Sequence, residues 1–205
     1  MIDPPTTRPS LLVRIRDGGD DEAWREFDAR YHDLILRYCV RRRLQVTDAE
    51  DVRQTVMIQL HRGLPGFRYD PDKGRFRDYL GVCVRNALSE HFRRQNPDDR
   101  TLGAPGRTDG PAPGEPEEPA GQGELEAAWE REWVQHHYRL ALHEVRRTCD
   151  AKSVAVFERL LQGDGIDRIR REFGLEANAI YKIKQRMRDR LRELIARQLT
   201  DEQLP

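Results

Sequence analysis

The stretch Ile166–Leu194, IDRIRREFGLEANAIYKIKQRMRDRLREL, decides how this chain is to be read. Ile166, Ile169 and Phe173 recur at helical spacing and are followed by Gly174, the residue expected where a helix ends in a left-handed turn. Leu175 and Glu176 then turn the chain, and a longer helix is predicted from about Ala177. A short helix, a glycine turn and a longer basic helix make a helix-turn-helix layout. In the longer helix Ile180, Ile183, Met187, Leu191 and Leu194 share one face, which is predicted to be core. Asn178, Tyr181, Lys182, Gln185 and Arg186 are thereby turned outward, where a recognition helix presents side chains to the major groove. Asn, Gln and Arg can pair with base edges, at about 1–3 kcal/mol of discrimination per good pair, while Lys184, Arg188 and Arg190 suit phosphates. A merely solvated basic helix is the plainer alternative.

Working outward, the chain has 205 residues, 35% charged and 37% hydrophobic. That length allows one medium domain or two small ones, and the apolar material suffices for small helical cores rather than a broad buried sheet. No run reaches the ~18 apolar residues of a membrane span, and the opening MIDPPTTRPS lacks the order of a secretory signal, so a soluble cytoplasmic protein is expected. Cys39, Cys83 and Cys149 are far apart with no CxxC pair, which predicts buried thiols rather than a disulfide framework or zinc site. Neither HExxH, GxSxG nor a phosphate-cradling glycine loop occurs, so no enzyme, metal or cofactor is expected.

Formal charge balances at 36 against 36, but its distribution is uneven. Residues 168–192 hold nine bases and three acids, whereas residues 96–124 hold seven acids and two arginines. The latter segment also contains six Pro and six Gly and no aromatic residue, a composition that predicts a flexible acidic linker. Before it, Trp24, Phe27, Tyr31, Leu34 and Tyr38 mark one amphipathic helix, and Ala49, Val52, Val56 and Leu60 a second. Thr47 with Glu50 three residues on predicts a capping box for that second helix, and Asp48, Glu50 and Asp51 suit its first turn. A third helix is predicted from about Phe76 to Phe92. After the linker, Leu125, Trp129, Val134, Ala141 and Val145 suggest one helix, and Val154, Phe157, Leu160 and Leu161 another. Between Phe67 and Tyr79, the aromatics Phe67, Tyr69, Phe76 and Tyr79 interleave with Arg68, Lys73, Arg75 and Arg77. Single-strand binding, with bases on rings and cations along the backbone, accounts for such a cluster, and so does core packing.

The assembled stretches resemble a sigma-70 family sigma factor of the extracytoplasmic-function (ECF) type, in the form common in planctomycetes. AWREFDARYHDLILRYC matches region 2.1, DAEDVRQTVMIQL region 2.2, and GRFRDYL followed by VRNALSEHFRR regions 2.3 and 2.4. Ile166–Leu194 matches region 4. Tyr79 stands where the family often has Trp, Glu90 where it often has Asp, and Glu176 where Ser or Thr is usual. The resemblance implies an all-α protein: a region 2 helical bundle over residues 10–95, a flexible acidic linker over 96–124, and a region 4 helix-turn-helix over 125–198. It implies a non-enzymatic subunit that binds core RNA polymerase through its β′ and β subunits, directs it to promoter DNA and promotes melting. Asp48, Glu50, Asp51 and Gln54 would meet the β′ coiled coil. Phe76, Arg77, Tyr79, Arg85, Asn86, Arg93 and Arg94 would serve the −10 element, and Asn178, Tyr181, Lys182, Gln185 and Arg186 the −35 element. An anti-sigma factor is admitted as a further partner, and no membrane insertion is implied. The rival is an ordinary helix-turn-helix regulator with a sensing or dimerising front domain.

Overall fold

The computed structural model describes residues 11–16, 19–64, 76–95 and 122–202. Among these the chain forms eight helices and no strand. They are α1 Leu11–Arg16, α2 Asp21–Val40, α3 Val46–Gly63, α4 Phe76–Gln95, α5 Gln122–Thr148, α6 Ala151–Leu161, α7 Ile166–Phe173 and α8 Ala177–Asp201. The all-α expectation holds. No described helix is long and apolar enough to cross a membrane. Two compact units divide the chain, Met1–Trp133 with Asp201–Pro205, and Val134–Thr200. Residues 125–133, expected to go with the tail, therefore belong to the first unit. The expected tether lies outside the described residues over 96–121, and its last residues open α5.

In the first unit α2, α3 and α4 pack around the rings of Phe27, Tyr31 and Phe76, with Phe27 and Phe76 edge-to-face at 5.8 Å. Leu34, Ile35, Val52, Val56, Leu60, Leu80 and Val84 complete this core at helical spacing. Helix α1, not foreseen in the sequence, adds Leu11, Leu12 and Ile15. It is tied to α2 by Arg14, whose Nε donates to Asp20 Oδ2 at 2.9 Å and whose Nη1 donates to Glu26 at 2.9 Å. Asp20 in turn caps α2, accepting from the Ala23 N–H. The Arg14 guanidinium, with that N–H, holds the Asp20 carboxyl below its ordinary range.

The predicted capping box of α3 does not form. The helix starts at Val46 after Gln45, with no side-chain cap bond. Glu50 instead accepts from Arg53 Nε at 2.7 Å and lies 3.4 Å from His32 Nε2, while Arg53 also pairs with Asp28 of α2. The ion pairs that fasten α3 to α2 thus take the carboxylate that would have closed the box.

Helix α2 ends in an unusual way. Leu44 N–H reaches back to the Cys39 carbonyl, Arg42 N–H also bonds there, and Leu44 is buried, which is the six-to-one closure of a helix C-terminus. The residue that must turn left-handed is Arg43, at φ 67°, where glycine would be favoured. Arg43→Gly is expected to stabilise the first unit by about 0.5–1 kcal/mol, measured as a higher urea midpoint.

The opening turns of α5 finish the first core. Trp129 and Trp133 are 2% and 3% exposed, and their rings meet Tyr38 at 5.1 Å and Tyr31 at 5.9 Å respectively. Trp129 Nε1 donates to the Arg77 carbonyl oxygen at 3.1 Å, across the face of α4 where Gly81 leaves room. A Cβ at position 81 would stand 2.6 Å from that nitrogen, so no larger residue fits beneath the indole unless it moves.

In the second unit Ala141, Val145, Val154, Phe157, Met187, Leu191 and Leu194 form one buried cluster, and Val156, Ile169 and Ile180 another. Asp150 caps α6 by accepting from the Ser153 N–H at 2.8 Å. Gly174 ends α7 at φ 61° and ψ 42°, the left-handed stop predicted from the sequence. The expected apolar face of α8 is buried at Ile180, Met187, Leu191 and Leu194, with Ile183 partly covered. Cys39 and Cys83 are buried and Cys149 half-buried; burial pushes the Cys39 thiol up to about 12 and the Cys83 thiol up to about 11.

Candidate nucleic-acid and polymerase interfaces

Packing decides which of the foreseen side chains can meet a partner. On α8 the apolar face is spent on the core, and Asn178, Tyr181, Lys182, Gln185 and Arg186 are all exposed. Tyr181 is 55% exposed, an aromatic left in water on the outward face of the helix. Arg186 is steered rather than free, because its Nη2 donates to Ser153 Oγ at 2.8 Å beside the start of α6. Gln185 donates to Asp189 at 2.9 Å, and Arg190 and Arg192 pair with Glu193 and Asp189. One helix flank therefore offers unpaired polar groups while the next turn is charge-compensated. Among the described residues Lys182, Lys184 and Arg188 make no ion pair with an acid.

On α4 the foreseen residues separate. Phe76 is 1% exposed between the rings of Phe27 and Tyr31, so it cannot stack a base, and its expected contact with DNA is corrected to a place in the core. The alternative of core packing prevails there because three aromatics from two helices meet at that level. Tyr79 is partly buried against the same core, and burial with a hydrogen bond to Cys83 raises its phenol above the ordinary range. Arg77 is occupied: its Nη1 donates to Glu130 at 2.8 Å and its Nε to Asp78 at 3.1 Å. Asn86, Arg93 and Arg94 are exposed, Arg94 pairing with Glu90 one turn back. Arg85 is half-buried and looks into a cleft between α2 and α4. The aromatic and basic residues Phe67, Arg68, Tyr69, Lys73 and Arg75 lie outside the described residues.

Helix α3 divides in the same manner. Asp51 and Gln54 are exposed, Asp48 is half-buried, and Glu50 is turned to Arg53 and His32. What the sequence missed is the run Arg41–Arg43, visible as three consecutive arginines, and the share that Trp129 and Trp133 take in the first core. Among the described residues no cluster of His, Cys, Asp or Glu could hold a metal ion.

Residues 27–97 match the family model described as Sigma-70 region 2. The match supports a sigma-70 family sigma factor acting in transcription initiation. No curated protein matches the chain.

Proposed function

We propose that the chain is an ECF-type sigma factor that binds core RNA polymerase, recognises the −10 and −35 elements of promoters, and promotes opening of the duplex. The match of residues 27–97 to sigma-70 region 2 carries this reading. The outward polar face of α8 and the left-handed stop at Gly174 favour a duplex-reading helix in the second unit. In this assignment Asp48, Asp51 and Gln54 face the β′ subunit, with Glu50 holding the helix in place. Arg77, Tyr79, Arg85, Asn86, Arg93 and Arg94 serve the melted −10 strand. Asn178, Tyr181, Lys182, Gln185 and Arg186 read the −35 duplex.

The deciding experiment adds the chain to core polymerase and a promoter library. Specific initiation supports the proposal; dimeric binding to a palindrome without polymerase supports an ordinary regulator instead. Arg186→Ala is expected to lower initiation about tenfold at promoters that depend on the upstream element and little elsewhere, read by run-off transcription. Equal activity at both promoter classes removes Arg186 from the reading set.

A further inference from the structure

The cleft between the end of α2 and the second half of α4, about 410 Å³, is lined by Arg41, Arg42, Arg43 and Arg85 together with Tyr38 and Phe92. Only Arg41 has a carboxylate among the described residues, Glu132 at 3.1 Å. Arg42 lies flat on Tyr38, its Cζ 3.4 Å from the ring centroid, and its Nη1 donates to the Tyr38 carbonyl oxygen. Its Nε is buried without an acceptor among the described residues. Burial lowers the pKa of Arg42, and the nearby Arg85 charge adds to that. Since a guanidinium does not give up its proton in a protein, the group stays charged and the cleft stays short of anions. Arg43, at the left-handed closing position of α2, lines the same cleft. At the rim, Phe92 is 41% exposed.

We propose that this cleft is a nucleotide-phosphate site, in which Arg42, Arg43 and Arg85 hold a phosphate and Phe92 stacks the attached base. Guanidinium forks match phosphate oxygens two at a time, and an aromatic rim favours a phosphate that carries a ring over a bare ion. The ligand is a free mononucleotide or one nucleotide unit of a single strand, which present the same chemistry to the cleft. The inference rests on the −10 reading through Arg85, which both share; Arg42 and Arg43 belong to the cleft alone, so loss of nucleotide binding in Arg42→Gln with promoter-specific initiation retained separates the two.

The test is calorimetric titration of the full chain with adenosine monophosphate, inorganic phosphate and a short oligothymidine strand. Arg42→Gln and Arg85→Gln are each expected to weaken nucleotide binding tenfold or more. Arg37→Gln, the same charge loss at an exposed position of α2 outside the cleft, should stay within twofold. Phe92→Ala should weaken the nucleotide but leave inorganic phosphate unchanged. Arg43→Gly, expected to gain stability, should nevertheless lose affinity, which separates a lost ligand contact from a damaged fold. Binding of the strand alone, with the same response to the arginine variants, assigns the site to a strand unit; binding of the mononucleotide assigns it to a free ligand. If no probe binds, or Arg37→Gln weakens binding as much as Arg85→Gln, the proposal is overturned.

Discussion

Trp129→Ala is expected to cost the first unit about 3–5 kcal/mol. The ring is 2% exposed, meets Tyr38 edge-on, touches Trp133 at 5.9 Å, and gives its only N–H to the Arg77 carbonyl. Removing it opens a cavity over Gly81, which has no side chain to collapse into the space. The loss should appear as a lower urea midpoint when the first unit is followed by the emission of Trp24 and Trp133. Leu125→Ala, on the same helix at 38% exposure, should stay within about 0.5 kcal/mol. A chain ending at residue 121 should reproduce the defect of the tryptophan variant, because it lacks both buried indoles. A Trp129→Ala cost below about 1 kcal/mol would mean that α5 merely rests on the first core.

Asp51→Arg should weaken binding to core RNA polymerase roughly tenfold or more while leaving the melting temperature near that of the parent. The side chain is exposed on α3 and makes no ion pair among the described residues, while its backbone carbonyl accepts from the Thr55 hydroxyl at 2.9 Å. Reversal therefore breaks no internal pair and places a cation where the proposed interface needs an anion, which acts on both encounter and lifetime. Gln54→Ala, its exposed neighbour, should add a smaller loss. Fluorescence anisotropy of the labelled chain against core polymerase measures both. Binding unchanged by Asp51→Arg would move the docking surface off α3. The contrast is Glu50→Gln, which removes one of the two carboxylates on Arg53 and the charge beside His32 and should lower stability before it touches affinity.

The helix-turn-helix was legible because its signals are local: a helical period, a glycine at the stop, and an apolar face that leaves the polar one no other direction. Helices α2, α3 and α4 were legible for the same reason. Trp129 was not, since periodicity says which face of a helix is buried and not which core receives it. Its partner, the Arg77 carbonyl, lies 52 residues earlier. At Phe76 the pattern fitted either a base or a core, and only the meeting with Phe27 and Tyr31 chose between them. The capping box failed through a partner on another helix, as Arg53 draws Glu50 along α3 while reaching Asp28 on α2. Nor does any local rule place an arginine at a left-handed position, so Arg43 became conspicuous only in the folded backbone.

Many of the arginines on these helices already hold a carboxylate: Arg77 with Glu130, Arg94 with Glu90, Arg190 with Glu193 and Arg192 with Asp189. If DNA is bound as proposed, an arginine that meets a phosphate must first give up such a partner, so the phosphate sheds its condensed sodium while the freed carboxylate gathers counterions of its own. Ionic strength then weakens the bond being broken along with the bond being made. Under the proposed function, a tally of guanidinium groups then overstates the electrolyte sensitivity of binding to DNA.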